Sequence, residues 1–65
     1  MVQDKTTVDL PKPRRKELFR LLVVAQDYGM GVPEARKMLC DLFGIMETQV
    51  LRIEREGLER TWPPL

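Results

Sequence analysis

The residues of this chain that could do chemistry are charged and polar, and they gather in two places. One is Thr48, Gln49, Arg52 and Arg55, spaced so that a helix over this stretch offers donors along its length. The other is a set of bases near the start, Lys12, Arg14, Arg15 and Lys16, with Arg36 and Lys37 further on. Arginine and lysine in such clusters suit the recognition of phosphate, and Thr and Gln suit base edges. The chain has no histidine and one cysteine, Cys40, set within an apolar pattern. That composition points away from zinc binding and from a histidine-based triad, so no enzyme, no metal and no cofactor is expected.

The charge is unevenly distributed. Residues 1–20 carry six bases against three acids, whereas residues 21–65 carry five bases against seven acids, for a net charge of +1. The basic end could steer the chain towards phosphate, or simply be a solvated helix entrance. Hydrophobic residues make up 43% of the 65, which suits one small folded domain with a thin core. No apolar run approaches the ~18 residues of a membrane span, and the first residues lack a signal-peptide layout. A lone cysteine and no leader fit a cytoplasmic protein, with Cys40 acting as a small buried apolar residue.

These groups must be positioned by helices. Residues 1–10 show no helical period and read as a flexible arm ahead of a single domain over 11–65. Pro11 and Pro13 permit a helix only after them. Leu18, Leu21, Leu22, Ala25 and Tyr28 fall on one face of a helix over about 14–28, with Gly29 as its stop. Phe19, Val23 and Val24 make that face wider than one small core needs, which points to a second contact surface. Pro33 and Glu34 start a second helix over about 33–43, whose inward stripe is Ala35, Met38, Leu39, Leu42 and Phe43. A third helix runs over about 47–60, with Val50, Ile53 and Leu58 inward. Trp62 and Leu65 are expected to fold back on the bundle. The fold class is all-α, a small three-helix bundle.

Only Gly44, Ile45 and Met46 separate the second and third helices, which is the length of a helix-turn-helix turn. Cys40 supplies a small side chain one turn before the glycine, and Gly44 tolerates positive φ. Ile45 can plug the core, and Val50 and Ile53 follow five and eight positions later on the inward face, completed by Leu39 and Phe43. An ordinary helical hairpin would share some of these features, but the seven positions together select the helix-turn-helix. Met46 stands at the cap of the third helix, where Ser or Thr is preferred, and Gln49 holds the return position of a capping box.

The run Phe43-Gly44-Ile45-Met46-Glu47-Thr48-Gln49-Val50-Leu51-Arg52-Ile53-Glu54-Arg55-Glu56-Gly57-Leu58 resembles the promoter-reading helix-turn-helix in the last conserved region of bacterial sigma factors. With the helix before it, the likeness covers residues 36–58. It implies a transcription-associated module with its third helix in the major groove of duplex DNA. The family's pattern ends on Ala-Leu, where this chain has Gly57-Leu58, and it tends to place arginines where this chain has Glu47 and Leu51.

Two functions follow. As a DNA-binding protein, the chain would send Thr48, Gln49, Arg52 and Arg55 into the groove. Lys12, Arg14, Arg15, Lys16, Arg36 and Lys37 would then lie on phosphates, and a domain this small would act as a dimer or within a larger complex. As a protein-interaction module, a homodimer or partner-binding frame, it would present Met46 and Leu51 on one surface and Phe19, Val23 and Val24 on another.

Overall fold

The computed structural model describes residues 10–65. Three helices, α1 (Lys12–Asp27), α2 (Val32–Phe43) and α3 (Glu47–Arg60), each pack against the other two. The described residues are otherwise turns and irregular segments, so this part of the chain is an all-α three-helix bundle. The arm expected over residues 1–10 falls outside the described residues except for Leu10. That residue packs on the core, and its carbonyl accepts a 2.7 Å hydrogen bond from Arg15 Nη1.

The first two helices begin where the backbone needs no donor. Pro11 occupies the cap of α1 in extended geometry, and Pro33 lies in the first turn of α2. A ring that lacks N–H costs nothing where that group would have no partner. All three helices end with a residue at positive φ close behind them. Gly29 (φ 96°) follows α1, Gly44 (φ 66°) follows α2, and Thr61 (φ 49°) follows α3. At the first end, Met30 N–H bonds to the Ala25 carbonyl at 3.0 Å. At the second, Ile45 N–H bonds to Cys40 at 3.1 Å, and at the third Trp62 N–H bonds to Gly57 at 3.0 Å. Each bond reaches back five residues, the Schellman closure that uses up an orphaned carbonyl. At the third end the left-handed position falls to a β-branched residue, which pays a steric penalty that glycine would avoid.

The core is Leu18, Phe19 and Leu22 from α1, Ala35 and Leu39 from α2, and Val50 and Ile53 from α3, with Ile45 from the turn and Trp62 beyond α3. Phe19 lies edge-on to Trp62, with ring centroids 6.1 Å apart and planes at 80°, a favoured aromatic arrangement. Gly57 lets α1 and α3 approach each other here. A Cβ at that position would fall 2.2 Å from Phe19 Cδ1.

Several inward assignments need correction. Phe19, expected on a spare surface, is 1% exposed and central to the core. Tyr28 is 88% exposed, being ten residues after Leu18 and therefore about 80° round the helix from it. Leu58 is 56% exposed, because five residues after Ile53 place it about 140° away; Gly57, four residues after Ile53, takes the inward position. Met38, Leu42 and Leu65 are also exposed, leaving Trp62 as the one tail residue in the core. Cys40 is half-buried rather than enclosed.

Candidate nucleic-acid interface

The turn between α2 and α3 has the geometry expected of it. Gly44 takes the left-handed conformation (φ 66°, ψ 38°), and both its N–H and that of Ile45 bond to the Cys40 carbonyl. Ile45 then enters the core at 8% exposure, with Val50 and Ile53 below it. These contacts fix which side of α3 is inward, and so fix the outward side. The outward side carries Thr48, Leu51, Arg52 and Arg55, all exposed and together lining one shallow hollow.

Gln49 does not belong to that face. It is buried beside Val50, and its Oε1 accepts a 3.3 Å hydrogen bond from Met46 N–H. That bond is the returning half of a capping box, and it holds the amide against the helix start instead of aiming it outward. Met46 itself lies at the cap in extended geometry (φ −87°, ψ 159°), half of its surface in solvent. Glu47 sits in the first turn of α3, where the partial positive charge of the helix end favours a carboxylate.

The bases divide into two groups. Arg15 Nε donates to Glu56 at 3.0 Å, and Arg36 Nη2 donates to Glu54 at 2.9 Å, each pair about three-quarters buried. Arg14 pairs with Glu17, and its guanidinium lies 4.6 Å from the centroid of the Phe43 ring. These three arginines, expected on phosphates, are occupied in joining the helices. They also draw Glu54 and Glu56 off the outward face, with Arg60 adding a second contact to Glu56 at 3.5 Å. The acid count along α3 therefore overstates the negative charge its outer face presents. Arg52, Arg55, Lys12, Lys16 and Lys37 are exposed and form no ion pair with a described residue.

Of the apolar candidates for a contact surface, Met46 and Leu51 are exposed, while Val23 and Val24 are half-buried. A groove of about 170 Å³ lies between α1 and α3, lined by Leu10, Arg15, Gln49, Arg52, Ile53 and Glu56. Sequence reasoning missed the pairing of Arg15 with Glu56 and of Arg36 with Glu54; residues 41 and 18 apart give no local signal for it. It also missed Arg20, exposed on α1 four residues after Lys16. The i, i+4 spacing could have found it. The Cys40 thiol is pushed up from its ordinary pKa by burial first, then by Glu47 and Asp41, which makes it a poor nucleophile. No group of acidic, cysteine or histidine residues among the described residues could hold a metal ion, and no helix there is long and apolar enough to cross a membrane. No family model matches the chain, and comparison with curated proteins and with solved structures likewise found no match.

Proposed function

We propose that this domain binds duplex DNA through a helix-turn-helix, with the outward face of α3 in the major groove. The observation that carries this reading is the sorting of charge on α3. Arg52 and Arg55 point outward without a described acid partner, while Glu54 and Glu56 are turned aside into ion pairs with Arg36 and Arg15. A carboxylate beside phosphate would be repelled, and two of the four on this helix are thus neutralised locally. Thr48 and the two arginines are the groups that would meet base edges; Leu51 would pack on a thymine methyl.

A second reading has its own support. Leu51 and Leu58 are 40% and 56% exposed on α3, and Met46 adds to them at its start. An apolar edge of that kind suits a protein partner or a second copy of the chain on the same frame.

Binding to random-sequence duplex at 50 and 200 mM salt separates the two. The DNA reading requires measurable affinity at low salt that falls steeply as salt rises. It also requires that Arg52→Glu with Arg55→Glu abolish binding while leaving the melting temperature unchanged. Absence of binding at 50 mM salt, with a dimer by light scattering, would sink it in favour of the interaction module.

A further inference from the structure

We infer that Lys12, Lys16 and Arg20 form the phosphate-backbone contact of this domain, a strip on α1 separate from the outward face of α3. The inference rests on the DNA-binding reading and assigns to it a set of residues different from the one the sequence suggests.

The argument is one of elimination followed by geometry. Of the bases expected to hold phosphates, Arg14, Arg15 and Arg36 are committed to Glu17, Glu56 and Glu54. Taking Arg15 or Arg36 out of its pair would leave a carboxylate behind in a partly buried site, a cost that a phosphate contact would have to exceed. Lys12, Lys16 and Arg20 have no such commitment among the described residues, and all three are exposed. They stand at i, i+4 and i+8, so they share one face of α1 at intervals of about 6 Å. The one acid of the first two turns, Glu17, is held by Arg14, so it does not neutralise the strip.

Two observations locate the strip in the fold. Lys16 Nζ lies 5.9 Å from the centroid of the Trp62 ring, so part of its stem is supported rather than free. Arg15, flanked in sequence by the strip, lines the same groove as Arg52. Arg15 of α1 and Arg52 of α3 thus face one groove, and the strip lies on the same helix as Arg15. Over its length of about 12 Å the strip would run alongside three to four phosphates of one strand, at 3.4 Å of axial rise each.

The test compares the whole chain with two variants, Lys12→Gln/Lys16→Gln/Arg20→Gln and Arg52→Gln/Arg55→Gln, on random and on A·T-rich duplex between 50 and 200 mM salt. Glutamine keeps the helix propensity, so all three proteins should melt alike. Removing three phosphate contacts should lower the slope of log affinity against log salt by about 2.7, at 0.9 per contact. The fourfold salt step should then weaken the triple variant about 40-fold less than the wild type. The loss at low salt should be equal on both duplexes, as a sequence-blind contact requires. A triple variant with the wild-type slope would overturn the assignment while leaving the α3 reading in place. Loss of binding in the triple variant with an unaffected Arg52/Arg55 variant would do the reverse. Wild-type chain that binds neither duplex at 50 mM salt would overturn both.

Discussion

Replacing Gly57 with alanine should destabilise this protein, although alanine is ordinarily the better helix former. In an exposed helix interior the exchange would gain about 1 kcal/mol. Here the added Cβ would lie 2.2, 2.5 and 2.6 Å from Cδ1, Cε1 and Cγ of Phe19, where ordinary carbon contacts need about 3.5–4.0 Å. More than an ångström must be opened, and the ring has little room to yield. Phe19 is 1% exposed and its edge is set against Trp62, itself 4% exposed. Overpacking of such a site costs about 1–3 kcal/mol and occasionally more, and the depth of this overlap places it at the upper end. After the propensity gain is subtracted, a net loss of about 1–2 kcal/mol remains, or roughly 5–15 °C in melting temperature for a domain of this size. Thermal unfolding followed by circular dichroism would measure it, with Glu59→Ala as an exposed control on the same helix that should stay within about 0.5 kcal/mol of wild type. Phe19→Leu, which shrinks the obstructing ring, should cost less in the Gly57→Ala background than in the wild type. A Gly57→Ala variant melting at or above the wild-type temperature would refute the close approach of α1 and α3.

Three further outcomes are expected. Met46→Ser exchanges a thioether, a weak acceptor, for a hydroxyl at the α3 cap opposite the bond Gln49 makes, and should raise stability by about 1 kcal/mol; an unchanged melting temperature would mean that the hydroxyl caps no better than the sulfur. Thr61→Gly relieves a β-branched residue at φ 49° and should raise the melting temperature by an amount equivalent to about 1 kcal/mol, even with the loss of the exposed Oγ1 bond to the Arg60 carbonyl. Cys40 should react with a thiol reagent at pH 8 more slowly than free cysteine. Glu47→Gln should quicken it, since Glu47 is among the groups that hold the thiol protonated; reaction as fast as the free amino acid would contradict that environment.

What was legible in the sequence was what local backbone chemistry dictates. The turn could be read because a left-handed residue and a core plug must follow one another, and Gly44-Ile45 is such a pair. The helix start at Pro33 was legible for the same reason, whereas α1 begins at Lys12, ahead of the expected position 14, because Pro13 is accommodated in its first turn. The face of α1 was harder, because Phe19 and Tyr28 are both aromatic at plausible positions and periodicity does not say where the neighbouring helices end. Gly57 could not be found by looking for apolar side chains, since its contribution is the side chain it lacks. The candidate interface suffered most from long-range pairing. Counting charges along α3 treats Glu54 and Glu56 as surface, and only the tertiary fold brings Arg36 and Arg15 to them. The same pairing occupies two of the expected phosphate ligands, the local Arg14–Glu17 pair occupies a third, and burial removed Gln49 from the reading face.

The Phe19 and Trp62 rings meet across 43 positions of the chain, one before the helix-turn-helix and one after it. The stretch from 36 to 58 therefore owns a turn but no complete interior. Excised, it would keep Val50, Ile53 and Leu39 while losing Leu18, Phe19, Leu22 and Trp62 that cover them. It could not be transplanted into another protein as a cassette, because its outward geometry is borrowed from the helix that precedes it and from the indole that follows. Portability, for this module, begins no later than Leu10 and ends no earlier than Trp62.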